Sequence, residues 1–307
     1  MPRRRRSKGL DIDGILLLDK PTGISSNRAL QTCRRLLNAN KAGHTGSLDP
    51  MASGLLPLCF GQATKTAGMF LDSDKSYEAV FQLGIKTDSG DADGRIVSRS
   101  NRQISEPQVK ECLEQYQGEI MQIPPMFSAI KQQGQPLYKL ARKGIETERI
   151  PRKVKIYSLV VSEFTGNQLH VFLTCSKGFY VRSLAIDLGD ALGCGAHVIS
   201  LRRTRVGPFE LSQSVSLEQL EALDAGDIRR RRLIPADQAL PHLPKIDLPE
   251  DTVHRFCQGQ AVRVSNAPLS GLARLYAPGD RFLGLGKITA AGMVAPKRLF
   301  LQPDVTA

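Results

Sequence analysis

The 307 residues are 41% hydrophobic, enough to bury a sizeable core, so a disordered tail is excluded. Lys and Arg number 42 against 30 Asp and Glu, and the resulting charge of +12 points to a polyanion partner, because a basic face gathers phosphates and releases their counterions. The 6 cysteines lie scattered in apolar runs such as LPLCF and VFLTC, which argues against a zinc site or a disulfide framework, and no 18-residue apolar span marks a membrane helix.

Met1–Lys8 is a basic arm whose consecutive arginines suit phosphate contact. It has no apolar signal-peptide region, so the expected location is cytoplasmic. GILLLDKP (14–21) reads as a buried strand ended by Lys20-Pro21. Ser25 or Ser26 caps a helix over NRALQTCRRLLN, where Leu30, Cys33, Leu36 and Leu37 recur at helical spacing. The loop GHTGSLDP follows. Gly46 frees its backbone, Pro50 fixes φ just after Asp49, and Gly54 allows close approach to a neighbour. A rigidly held carboxylate there suits a nucleophile, a general base, a metal ligand or a helix cap. By spacing alone a turn residue is the commoner use of Asp-Pro, and His44 with Asp49 lacks a third metal ligand nearby.

A strand near 55–60 and a short helix from Gln62 to Leu71 come next. KSYEAVFQLG (75–84) alternates as a half-buried strand, with Tyr77, Ala79, Phe81 and Leu83 on one face. TDSGDADGR resembles a calcium loop, but aligning Gly94 with the obligatory glycine puts Ser89 at the first ligand position and Ser100 where a bidentate Glu belongs, so it reads as an acidic turn. Ser105 and Pro107 open a helix over 107–117. VKIYSLVVSEF and LHVFLTC form two strands around the turn TGNQ. SKGFYVR then leads into a helix with Val181, Leu184, Ala185, Leu188 and Leu192 on one stripe, and HVISLRRTRVGPF returns as a strand. From about 210 to 245 the chain turns polar and charged, which places a boundary. QAVRV, GLARLY, RFLGLGKIT and MVAPKRLF then suggest a small β-barrel-like module.

GHTGSLDPMASGLLPLCFGQATK closely resembles the signature of the TruB-type tRNA pseudouridine synthases. GILLLDKPTGISSN is similar to that family's opening strand and Lys-Pro motif, and SDKSYEAVFQLGIKTDSGDADG to its tyrosine-bearing strand. IPPMFSAIKQQGQPLYKLARKGIE, CSKGFYVRSLAIDLGDALGCGAHVISLRRTRVG and VAPKRLF also find counterparts, so the likeness runs from about residue 10 to 303.

The resemblance implies an α+β fold. A pseudouridine-synthase-type mixed, mainly antiparallel sheet core with flanking helices occupies 10–245, after the basic arm 1–9, and a PUA-like RNA-binding β domain occupies 246–307. It implies isomerisation of the T-loop uridine of tRNA conventionally numbered 55, with no cofactor, no metal and no obligate protein partner, by a monomer. A second role in tRNA folding goes with it. Asp49 is implied as the nucleophile and Arg182 as its ion-pair partner. Tyr77 stacks on the extruded uracil, Tyr180 and Leu201 line the base pocket, and His44 contacts the distorted loop. Lys20 supports the active loop or a phosphate. Without the resemblance, Arg182 would pass as a surface arginine, His44 as a solvated turn residue, and Tyr77, Tyr180 and Leu201 as core. A uridine in a folded loop must leave its stack to be reached, which suits this set, and reading by shape and backbone suits the basic surface. Two rivals are a non-catalytic RNA-binding protein and a hydrolase with an aspartyl intermediate. The second would need phosphate-cradling glycines and metal carboxylates that the sequence does not arrange.

Overall fold

The structure, a computed structural model, describes residues 9–223, 229–265 and 267–300. The basic arm expected at the start lies outside these residues. In β1 (Gly14–Lys20) the run Ile15–Leu18 is continuously apolar because both faces are covered. Leu16 and Leu18 meet Leu56 and Leu58 on one side, while Ile15 and Leu17 meet Leu55 and Cys59 on the other. Ser25 caps α1 (Ser26–Leu36) by accepting from the Arg28 amide at 3.2 Å. β2 (Ala42–His44) and β3 (Ser53–Phe60) flank the Asp49 loop.

The helix expected over 62–71 breaks in two, a 3₁₀ turn Gly61–Lys65 and α2 (Ala67–Leu71). At the break the Thr66 hydroxyl turns back onto the Ala63 carbonyl at 2.8 Å, an alternative to continuing the helix. β4 (Lys75–Leu83) alternates as expected. The acidic turn after it is the tip of a hairpin of β5 (Ile85–Thr87) and β6 (Ile96–Arg99), too short and exposed to read from the sequence. α3 (Glu106–Glu114) stops before the end expected for it, and Gly118, at φ +84, reverses the chain into β7 (Gly118–Gln122). A hairpin of β8 (Lys131–Gln132) and β9 (Gln135–Pro136) precedes α4 (Leu137–Ala141). β10 (Arg152–Phe164), β11 (Gln168–Cys175), α5 (Val181–Ala191) and β12 (Ala196–Val206) follow. β13 (Phe209–Glu210), β14 (Val215–Ser216) and α6 (Leu217–Glu221) occupy the start of the charged stretch.

The main sheet has ten strands in the order β14-β1-β3-β12-β4-β11-β10-β7, with β2 on β3 and β13 on β12. β1/β14 and β3/β12 pair parallel, and every other pair in it is antiparallel. This is the mixed, mainly antiparallel core expected. α5 lies close on β12: a Cβ at Gly189 would meet the Ala196 nitrogen at 2.1 Å.

A second sheet, order β15-β17-β18-β19-β16, is built from β15 (Lys245–Asp247), β16 (Val262–Arg263), β17 (Leu272–Ala277), β18 (Arg281–Ile288) and β19 (Met293–Leu299). The helix Glu250–Cys257, absent from the sequence reading because it is short and mostly polar, puts Val253 and Phe256 into this module's core. The module is fastened to the main body. Leu285, Phe282 and Phe300 pack in one cluster with Ile15, Leu17 and Phe70, the Lys65 ammonium donates to the Leu299 carbonyl, and the Tyr276 hydroxyl donates to Asp237 at 3.0 Å. No described helix is long and apolar enough to cross a membrane.

Candidate active site

The loop between β2 and β3 is pinned from three sides. Thr45, fully buried, donates its amide and its hydroxyl to the Pro57 carbonyl at 3.2 and 3.3 Å. The Ser26 hydroxyl accepts from the Leu48 amide at 2.7 Å and donates to the Leu48 carbonyl at 3.0 Å. Lys20, fully buried, donates to the carbonyls of Pro21 at 2.7 Å, Ile24 at 2.8 Å and Pro50 at 3.5 Å. Through these carbonyls Lys20 reaches the loop from beneath. Burial lowers its ammonium to about 8. Gly46 turns the chain at φ +122, and at Gly54 (φ +100) a Cβ would lie 2.3 Å from the Arg203 carbonyl oxygen, so only glycine lets β3 run this close to β12.

Asp49 projects from this loop into a cleft of about 1390 Å³. Arg182, on the first turn of α5, meets it in a two-point contact, Nε to Oδ2 at 2.8 Å and Nη2 to Oδ1 at 3.2 Å. The carboxylate stays 35% exposed while the guanidinium is buried. Arg182 is itself fixed by the carbonyls of Ser89 at 3.0 Å and Phe127 at 2.7 Å, and Asp91 lies 3.5 Å from its Nε. Loss of water pushes the Asp49 carboxyl above the usual carboxylate range, with Asp91 adding to the rise, and Arg182 opposes it and keeps the charged form available. Gln122 holds the start of α5: it accepts from the Tyr180 amide at 2.8 Å and donates to the Tyr180 carbonyl at 3.0 Å.

The cleft also takes in Tyr77, Tyr180, Leu201 and His44. The fold therefore gathers six of the seven residues singled out from the sequence around one space, with Lys20 beneath it. Burial pushes the Tyr77 phenol up to about 12, and the Arg203 guanidinium beside it works the other way. His44 Nδ1 is buried without a hydrogen-bond partner, and burial lowers the imidazole, with Arg203 assisting. Among the described residues no group of His, Cys, Asp and Glu is placed to hold a metal ion.

Several residues at the site escape a reading by motif. Asp91 and Ser89 belong to the acidic turn, which the hairpin folds over Arg182. Arg203 comes from β12, whose sequence reads as a strand without giving its arginines a side. The signal was present: two adjacent arginines on a strand must face opposite ways. Arg202 pairs with Asp19 at 2.7 Å, and Arg203 turns inward.

Three family models match this chain. "TruB family pseudouridylate synthase (N terminal domain)" covers residues 34–181, "tRNA pseudouridylate synthase B C-terminal domain" covers 182–241, and "Pseudouridine synthase II TruB, C-terminal" covers 244–300. The chain is 48% identical over 309 residues to the tRNA pseudouridine synthase B of Tolumonas auensis, across 97% of this chain and 95% of that protein. It is 52% identical over 290 residues to the protein of the same name from Aromatoleum aromaticum, across 94% and 92%. In structure it is similar to a chain of a Cbf5-Nop10-Gar1 complex (TM-score 0.70, 26% identity, covering 98% of this chain and 89% of that one). A chain of an H/ACA RNP bound to a substrate RNA containing 2'-deoxyuridine is similar too (TM-score 0.70, 25% identity, 95% and 86%).

Proposed function

The chain belongs to the TruB family of pseudouridine synthases, and from that premise we propose how it isomerises a uridine of tRNA to pseudouridine. The substrate position is the T-loop uridine conventionally numbered 55, and Asp49 is the nucleophile. One observation carries this reading: a loop braced on three sides presents a single carboxylate, gripped at both oxygens by Arg182, to an open cleft.

The reaction exchanges the bond from N1 of uracil to the ribose for a bond from C5. N1 gains a proton, C5 loses one, and no group enters or leaves. The base must be detached, turned and rejoined without escaping. A covalent link through Asp49 forms to let the N1 bond break and is released as C5 joins the ribose, which regenerates the carboxylate, and the surrounding cleft keeps the detached base in place. Tyr77 offers a ring on which the extruded uracil stacks, and Tyr180 and Leu201 close the pocket around it. His44, with an unpartnered Nδ1, meets the RNA left behind. Extruding the base opens the folded loop, and a second activity in tRNA folding rests on that opening. The module over 245–299 contributes contacts elsewhere on the tRNA.

Incubation with an unmodified tRNA transcript tests the assignment. Asp49→Asn is expected to abolish pseudouridine formation while RNA affinity stays within about tenfold, because phosphate and shape contacts supply most of the binding. Product formation by this variant, once deamidation has been excluded, would remove Asp49 from the role.

A further inference from the structure

Arg203 is 1% exposed, and its side chain is among the largest fully buried in the molecule. No carboxylate among the described residues forms an ion pair with it; its contacts are carbonyls and a phenol. Its Nε donates to the Leu55 carbonyl at 2.8 Å, its Nη2 donates to the Gly46 carbonyl at 3.2 Å, and Tyr77 stands beside the guanidinium. Lys75, also buried, lies nearby with its ammonium on the carbonyls of Leu71 at 3.1 Å and Ser73. A guanidinium buried without a counter-charge is costly, because its lost hydration is not repaid by an opposite charge. An apolar side chain would fill the same space. The geometry gives the charge a use.

Gly46 and Leu55 stand on either side of Asp49 in the chain, so one planar fork ties together the two ends of the loop that carries it. The same residue joins two strands: in the sheet register Arg203 is the partner of Gly54 on β3 and of Tyr77 on β4.

We infer that Arg203 is a positioning residue, whose buried fork sets the Asp49 carboxylate and the Tyr77 ring at the separation that the extruded uracil requires. This rests on the reading of Asp49 as nucleophile. It does not touch the base; it acts through both groups that do. A misplacement of about 1 Å between reacting groups lowers a rate on the order of 100-fold.

The test uses the full chain, with enzyme in saturating excess over a T stem-loop RNA, so that the single-turnover rate constant reports the folded molecules alone. Arg203→Met is expected to lower that constant on the order of 100-fold while Kd for the RNA changes by less than about threefold, since the RNA's phosphates lie elsewhere. Arg203→Lys keeps the charge without the fork and should fall between Arg203→Met and the wild type. Combined with Tyr77→Phe, Arg203→Met should cost less than the product of the two single losses, because both disturb one contact. A wild-type rate constant in either folded variant overturns the assignment. So does a loss confined to the active fraction, which marks a purely structural role. If neither variant folds, Arg203→Gln replaces them, since it keeps a polar donor without the planar fork or the charge; an unchanged constant there also overturns the assignment. Asp49→Asn is run alongside. Activity in that variant defeats the nucleophile reading, whereas inactivity beside a normal Arg203 variant defeats the positioning role alone.

Discussion

Asp49 and Arg182 divide their exposure unequally. The carboxylate faces the cleft and the guanidinium is buried behind it, donating also to the Ser89 and Phe127 carbonyls. Such an arginine sets both the aim and the charge of its partner. Because Arg182 opposes the rise that burial imposes on the Asp49 carboxyl, its removal raises that carboxyl further and shrinks the ionised fraction at any given acidic pH. Arg182→Met should therefore move the acid limb of kcat/KM toward neutral pH and lower the plateau. Arg182→Lys, which retains charge without the two-point contact, should correct the limb more than the plateau. The measurement is kcat/KM against pH for the three proteins, and an unmoved limb in Arg182→Met would detach Arg182 from the ionisation of Asp49.

Two adjacent serines at the start of α1 do different work. Ser25 caps the helix at the Arg28 amide, and Ser26, buried, satisfies both backbone groups of Leu48 in the Asp49 loop. Ser25→Ala should cost about 1 kcal/mol in chemical denaturation. Ser26→Ala strands a buried donor and a buried acceptor and should cost about 1–3 kcal/mol, with a larger fall in kcat than its neighbour causes, since the loop loses one of its three braces. Equal effects on kcat would mean that α1 supports the site only as a whole helix. The sequence offered both serines as caps. Which of them faced the loop depended on where Leu48 lay in space, and spacing along the chain carries no such information.

At the scale of the molecule, the C-terminal module shares a hydrophobic cluster with β1 and α2 through Leu285, Phe282 and Phe300. Deleting it would bare that face, so the part in binding proposed for it is better examined by charge. Arg263, Lys287 and Lys297 are exposed on the module and clear of the shared cluster. Changing all three to Gln should raise KM for full-length tRNA, leave kcat and the isolated T stem-loop nearly unaffected, and flatten the dependence of binding on salt, because fewer phosphates are engaged. An equal rise in KM on both RNAs would mean that the module's charge acts on the T loop itself.

Much of this was written locally. The alternation of β4, the unbroken apolar run of β1 and the glycine–proline frame of GHTGSLDP depend on neighbours in the chain, so periodicity and turn chemistry revealed them, and the resemblance pointed to Asp49, Arg182 and Tyr77. Other features exist only because strands distant in sequence become adjacent. Asp91 reaches Arg182 because the β5–β6 hairpin folds back over α5, Lys20 lies under Pro50 because β1 pairs with β3, and Arg203 grips Gly46 and Leu55 because β12 runs parallel to β3. A buried cation held by backbone carbonyls leaves no side-chain partner for a motif to record, so the sequence supplied the charge and only the packed sheet decided where it was spent.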